Sequence, residues 1–419
     1  MILQRFGYIL LILCMMAPLF GPFSELFSAI LIAVLIAVGV YSGQYRRQLD
    51  PLRLLGIIFI GYFATLLVAG LFSDASLWQT LEALAPASPV LILGLTAFFG
   101  DPKWFKVKPK HIGSTATISV FVMYIGALLL WHFQINWQVL GKGLLHHSDV
   151  NGRLRLFAGN PLPFGAIMVT LCGLSFMGWW QKSLAGKVIS LGALIIGAGI
   201  VALWTEARGP FLAIGLLLIP ISFGARIYLR EALPSHRLIL TLAMIAVAMC
   251  VFLWPTENNA FVRLFHGLNT LKTGQSFDHS TYLRLVMYGA ALEAFSDSWL
   301  LGYGPYARFS AIEIYIPPEI SIRYTHVHNV FLNHAVTAGV PGVCAALAVI
   351  IAPLALAWKY AKVRRGSALF LTSILTLSMI GCGMSNVLLF HDLTAYFFAT
   401  LSVIAVSTLC PTDDRLEQS

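Results

Sequence analysis

Apolar stretches of about 20 residues with few charges recur from one end of this sequence to the other, and that recurrence limits the fold more than any single motif does. A helix crossing the roughly 30 Å hydrocarbon core of a bilayer needs about 20 mostly apolar residues, and lipid supplies no hydrogen-bond partners for an open backbone. The expected fold is therefore all-α, a polytopic membrane protein with about twelve transmembrane helices. The expected spans lie near residues 6–20, 25–42, 53–73, 83–99, 113–132, 162–180, 186–204, 209–224, 237–254, 327–358, 367–386 and 389–410. With 58% hydrophobic and 11% charged residues, and a mean hydropathy of +0.81, a water-soluble domain is excluded. Residues 1–419 form a single transmembrane domain, with 255–326 an inserted outer loop between spans nine and ten that is not independent.

The first apolar stretch follows Arg5 and leads directly into the second without a small-residue cleavage site, so it is expected to be a retained helix. Cys14, Cys172, Cys250, Cys344, Cys382 and Cys410 sit in apolar runs without paired spacing and are expected to be packing residues. The formal charge of +9 matters less than where the charges fall, because cytoplasmic connections attract Lys and Arg. With the N-terminus inside, the basic connections GQYRRQLDPLR, DPKWFKVKPK, QKSLAGK, GARIYLREALPSHR and KYAKVRRG are all cytoplasmic, as is the C-terminus. Of the 27 Lys and Arg, nine remain outside: Lys142, Arg153, Arg155, Arg208, Arg263, Lys272, Arg284, Arg308 and Arg323. The outer side also carries the two long connections, 133–161 and 255–326, so function is expected there. In the longer one, NNAFVRLFHGLNTLK and STYLRLVMYGAALEAF place apolar residues three and four apart, which predicts amphipathic helices.

The strongest local pattern is THVHNVFLNHAVTAGVPG. A helix entering the membrane near Val327 would carry His328 and Asn329 in its first turn, with Gly339 and Gly342 deeper, on one face, where they permit close helix contact. Its outward N-terminus presents positive potential beside His328, which favours neutral imidazole, the form a general base needs. The plainer alternative is an interfacial histidine that only caps or hydrogen-bonds, and His326, His334 and His391 are given that role. In LWTEARGPFLAIG, Glu206 and Arg208 occupy a short outer turn, and Pro210 suits the first turn of the following helix. Arg208 beside that helix end makes an anion site, unless a Glu206–Arg208 ion pair merely locks the turn. Arg284 is carried on a loop helix, followed by Gly302 and Gly304 in a flexible turn. Arg153 and Arg155 precede the Pro-bounded NPLPFG, where headgroup anchoring would explain them equally well. Outside the membrane there is no paired-carboxylate motif, no HExxH, no Walker sequence and no nucleophile elbow, so no metal or cofactor is expected. Asp413 and Asp414 belong to the cytoplasmic tail.

HN-x9-GxxG at the start of a late span, after the longest outer loop, resembles the signature of the bacterial O-antigen ligases. The twelve spans, the ARG turn between the seventh and eighth, and the arginine-bearing loop helix resemble that family across nearly the whole chain. The wider superfamily includes O-antigen polymerases and protein O-oligosaccharyltransferases. The resemblance implies a GT-C-type glycosyltransferase in the bacterial inner membrane, acting at the periplasmic face. It implies metal-free, inverting transfer of O-antigen from undecaprenyl diphosphate, the donor, to lipid A-core oligosaccharide, the acceptor. By that likeness His328 takes the acceptor-hydroxyl proton while Arg208 and Arg284 hold the diphosphate, arginine being suited to bidentate phosphate pairing. Arg153, Arg155, Asn329, Glu206 and Arg323 are the further candidates for substrate binding. Membrane lipids are expected neighbours and nucleic acid is not. A twelve-span transporter is the rival from another class, but repeat symmetry and mid-span ionisable residues are missing.

Overall fold

The computed structural model describes residues 6–20, 30, 33–34, 36–38, 40–41, 49–133, 137–139, 142–148, 154–156, 161–177, 184–205, 207–221, 260–273, 279–320, 326–360 and 366–410. Six helices are long and apolar enough to cross a membrane: Pro51–Leu71, Leu77–Phe99, Pro109–Leu129, Ala185–Ala202, Val330–Tyr360 and Gly366–Gly383. Four shorter apolar helices, Phe6–Met15, Pro161–Ser175, Arg208–Ile219 and Asp392–Ser407, fall at four more of the expected spans. The expected span 237–254 lies outside the described residues, and 25–42 is described only in part. The chain is a multi-pass membrane protein.

One departure from the all-α expectation is small. Trp137–Val139, Lys142–Ser148 and Leu154–Leu156 form a three-stranded antiparallel sheet, with Val139 opposite Lys142 and His146 opposite Leu156. Pairing these strands gives the backbone of a connection without helical periodicity its hydrogen-bond partners.

Local chemistry sets the helix boundaries. The Asp50 carboxylate accepts from the Arg53 backbone N–H at 2.9 Å, with Pro51 opening the helix, a start that proline's fixed φ favours. Ser76 and Gln79 make a reciprocal capping box at Leu77, which satisfies two donors a helix N-terminus leaves open. Gly56 and Gly94 then let the Pro51–Leu71 helix meet Ser88–Phe99 backbone to backbone: a Cβ on Gly56 would lie 2.7 Å from the Gly94 carbonyl oxygen. Pro161–Ser175 is buried along its whole length and Asp392–Ser407 from Leu393 onward. Helices apolar on every face belong at the centre of a bundle. Cys14, Cys172, Cys382 and Cys410 are buried as expected, but Cys344 is exposed, because its face of the long late helix has no protein neighbour to pack against.

That late helix is not one rod. Between Val330 and Tyr360 the backbone leaves helical geometry at Ala338 (φ −142°, ψ 23°) and Gly339 (φ 62°, ψ −152°). The expectation that Gly339 and Gly342 share one helix face is therefore corrected. Gly339 sits in a break, and the groups the break frees are paired with the 299–303 segment: Val340 N–H donates to Trp299 O at 2.8 Å and Tyr303 N–H to Val336 O at 2.9 Å. Neither side of this crossing tolerates a Cβ, which on Gly339 would lie 2.4 Å from Trp299 O and on Gly302 2.5 Å from Ala338 N. Gly302 (φ 67°) is thus held by close backbone contacts and Gly304 (φ 79°) by the Ser73 side chain, not left as the flexible turn expected. Gly342 faces the His334 carbonyl, where the short helix 330–337 bends back against the longer one. Residues 340–360 alone rise about 30 Å, enough to cross a bilayer, so His328 and the short helix 330–337 precede the spanning part.

Of the long connection 255–326, the described residues carry the helices Ala260–Thr273, His279–Asp297, Gly304–Ala307 and Ser310–Glu313. Ala290, Ala291 and Ala294 of the second pack with Ile312, Val327 and Val336 in a small apolar cluster. This cluster seats the loop helix on the short helix 330–337.

Candidate active site

Asn329 begins the short helix. Its side-chain oxygen accepts from the backbone N–H groups of Phe331 (2.9 Å) and Leu332 (3.1 Å), and its carbonyl accepts from Asn333 N–H, which are the bonds of an N-cap. Its amide nitrogen donates to the Met384 carbonyl at 3.3 Å. Expected to contact substrate, Asn329 spends its polar atoms on the fold. His328, immediately before it, is buried and is the one non-glycine with positive φ (55°) among the described residues. Left-handed backbone costs a residue with a Cβ about 1 kcal/mol or more. Here a local bond helps to hold it: the Tyr288 hydroxyl lies 3.0 Å from the His328 carbonyl and 3.1 Å from that of Met384.

Tyr288 belongs to His279–Asp297. Thr281, Arg284 and Tyr288 are three and four residues apart and so form one stripe along it. At one end Arg208 Nη1 donates to Thr281 Oγ1 at 2.5 Å. At the other end Tyr288 reaches His328. Arg208 is buried and opens the helix Arg208–Ile219, directly after a π-helical turn at Ile200–Trp204. Its guanidinium packs on Gly267, where a Cβ would lie 3.0 Å from Nη1. The neighbouring Gly209 packs against Ser385. The turn at 384–385 therefore touches the Arg208 helix, Tyr288 and Asn329 together.

Beyond His328 lies a second group. The His326 and His328 rings stand 4.3 Å apart at 59°. Arg308 lies over the Phe390 ring, 4.6 Å from its centroid, and the other neighbour of Phe390 is His334 at 5.1 Å. His334 Nδ1 is 2.5 Å from the Val330 carbonyl, which can only accept, so Nδ1 carries the proton and Nε2 accepts from the Tyr62 hydroxyl at 2.9 Å. The sequence-based expectation of a merely hydrogen-bonded histidine fits His334.

Charge follows from this packing. Burial, then His326, then Arg284 hold the His328 imidazole well below its ordinary pKa. Burial, with Arg308, His391 and Arg284, brings His326 down to about 4. Both rings are neutral at pH 7. Burial raises the Tyr288 hydroxyl, against the opposing effects of Arg284, the Asn329 hydrogen bond and Arg208. It stays a donor.

The family model described as O-antigen ligase matches residues 192–347. That region resembles the O-antigen ligase family. A search of curated proteins finds no match to the chain. Arg208, Arg284, His328, Asn329, Gly339 and Gly342 all fall within the O-antigen ligase region, whereas Tyr62, Met384 and Phe390, which complete the site, come from the rest of the chain. The structure brings Arg208, Arg284 and His328 together through Thr281 and Tyr288. Arg155 lies on the short sheet, in Leu154–Leu156, while Arg153, Glu206 and Arg323 lie outside the described residues. Sequence reasoning missed Tyr288, His326 and Arg308 as neighbours of this group. The three-and-four spacing of Thr281, Arg284 and Tyr288 was the available signal for the first.

Proposed function

We propose that this chain is an O-antigen ligase: an inner-membrane, GT-C-type glycosyltransferase that moves O-antigen polysaccharide from undecaprenyl diphosphate to lipid A-core oligosaccharide at the periplasmic face. The observation that carries this reading is the convergence of Arg208, Arg284 and the neutral His328 through one loop helix, within the region that resembles the ligase family.

In the proposed reaction a hydroxyl oxygen of the acceptor sugar attacks the anomeric carbon of the donor, a new C–O bond forms, and the bond from that carbon to the diphosphate oxygen breaks. The hydroxyl proton passes to the His328 imidazole, and the electron pair of the broken bond leaves on the lipid diphosphate. Arg208 and Arg284 stabilise that leaving charge through charge-assisted, bidentate hydrogen bonds. Attack opposite the leaving group inverts the anomeric centre, and no metal is required. A base with so low a proton affinity is weak by itself, but the negative diphosphate raises its pKa once donor is bound. His328 is then a better proton acceptor in the loaded site than in the empty one. Asn329 supports the reaction by capping the helix that carries His328.

Reconstitution tests this. Purified protein, undecaprenyl-diphosphate-linked glycan and lipid A-core oligosaccharide are combined with chelator, and a ligated product is expected. Elongation of the lipid-linked glycan alone, with no product on lipid A core, would assign the polymerase activity of the superfamily instead. Product that appears only with added metal would overturn the mechanism.

A further inference from the structure

Arg308 is a cation embedded at the bundle's mouth with no carboxylate among the described residues to balance it. Its Nη1 donates to the Pro305 carbonyl and its flat face covers Phe390. The edge formed by Nε and Nη2 has no acceptor among the described residues, and Nε is fully buried. That edge is the one with two parallel N–H groups, the geometry that pairs side-on with an oxyanion. Burial lowers the Arg308 pKa to about 10, which leaves it charged at neutral pH and without a counter-charge among the described residues. A desolvated cation is costly unless something pairs with it.

Position suggests what does. His326 feels both Arg284 and Arg308, and its ring stacks on His328, whereas Arg308 continues towards Phe390, His334 and Tyr62. The order along the site is Arg208, Arg284, the His326–His328 pair, then Arg308. In an inverting displacement the incoming hydroxyl and the departing diphosphate lie on opposite sides of the reacting carbon. A base at His328 with diphosphate-binding arginines to one side leaves the acceptor on the other.

We propose that Arg308 forms a second anion subsite, across the His326–His328 pair from Arg208 and Arg284, and that it holds a phosphate carried by the acceptor glycan. The inference rests on the ligase reading above. A phosphate monoester carries close to two negative charges and three acceptor oxygens, enough to use the Nε–Nη2 edge and offset the burial of the guanidinium. Arg308 is in this account a specificity residue, selecting acceptors phosphorylated near the receiving hydroxyl.

The test is steady-state transfer by the full chain in phosphatidylcholine nanodiscs, comparing lipid A-core acceptor with the same acceptor after phosphatase treatment. The intact enzyme is expected to favour the phosphorylated acceptor by roughly tenfold or more in kcat/KM, the effect of one charge-assisted contact. Arg308→Ala is expected to erase that preference by raising KM for the phosphorylated acceptor, with the donor KM and the rate on dephosphorylated acceptor unchanged, and Arg308→Lys to restore part of it. Equal losses on both acceptors, a raised donor KM, or no preference in the intact enzyme would overturn the subsite. A rate set by added phosphatidylglycerol, regardless of acceptor phosphorylation, would show a lipid headgroup as the occupant and would also overturn it. Should no sample transfer glycan, the ligase reading fails by itself. A binding titration of the phosphorylated core oligosaccharide then decides the subsite: weaker binding to Arg308→Ala supports it, and equal affinity refutes it.

Discussion

The Tyr288 hydroxyl sits 3.0 Å from the carbonyl oxygen of His328 and 3.1 Å from that of Met384, so one phenol on a loop helix ties the residue ahead of the short helix 330–337 to the end of the helix Gly366–Gly383. The bond reaches the backbone of His328, whose φ is positive. It therefore fixes where the imidazole stands by way of the backbone. Tyr288→Phe keeps the ring packing and loses the bond. We expect about 1 kcal/mol of lost stability, the usual net worth of one hydrogen bond, and a fall in transfer rate of roughly tenfold from misplacement of the base. A variant as active as the parent would show that His328 is placed by other contacts.

Arg208 carries two functions that substitutions can separate. Through Thr281 it anchors the loop helix, and in the proposed reaction it also meets the diphosphate. Thr281→Val removes the anchor alone and should lower activity modestly. Arg208→Ala and Arg284→Ala should each cost on the order of 10²–10³ in rate, as loss of a preorganised donor to developing charge does, while the purified protein keeps its elution profile and melting temperature within a few degrees. If Thr281→Val is as inactive as Arg208→Ala, anchoring explains the arginine.

His328 supports a prediction that separates stability from activity. Glycine relieves the left-handed backbone that alanine does not. His328→Gly is expected to melt higher than His328→Ala, by about 1 kcal/mol in stability, with both variants inactive. Transfer surviving in either one removes the imidazole from the mechanism.

The pH dependence has a defined sign. In the free enzyme His328 is held below its ordinary value by burial, His326 and Arg284, so the acid limb of kcat/KM should fall below pH 6.5, the value of an unperturbed histidine. His326→Gln removes one depressing charge and should shift the limb upward. Stability follows the same groups. His326, brought to about 4 by burial, Arg308, His391 and Arg284, stabilises the fold fully above the unfolded value near 6.5, and that contribution is lost as pH falls from there through about 4. Melting temperatures across that range measure it, and a parent protein whose stability rises on acidification contradicts the assignment.

Gly339→Ala places a Cβ 2.4 Å from the Trp299 carbonyl at φ 62°. We expect a loss well above 1 kcal/mol, since strain and clash add, read as poor yield and early melting in detergent. A well-folded, fully active alanine variant would mean that the chain can straighten the break.

Some of this was legible in the residues and some was not. The apolar stretches determined a multi-pass helical protein because a bilayer leaves a chain so few alternatives. His328, Asn329 and Arg208 could be singled out because polar groups at the ends of such spans are costly to keep without a purpose, and Arg284 because an amphipathic loop helix carries it. The break at Gly339 had a sequence signal, a glycine two positions before Pro341, the pattern of a helix that stops and restarts. Periodicity of the surrounding residues outweighed it. Met384 had no signal, since it contributes only a carbonyl oxygen, which every residue possesses. Whether Tyr288 and Arg308 face the site depends on how the loop helices are rotated over the bundle, and that follows from contacts between residues far apart in the chain. The sequence by itself determined which polar groups stand at the ends of the spans and on the loop helices. Tertiary packing alone decided which of them meet, because the hydrogen bonds and ring contacts that assemble the site join spans, loop helices and turns far apart in the chain.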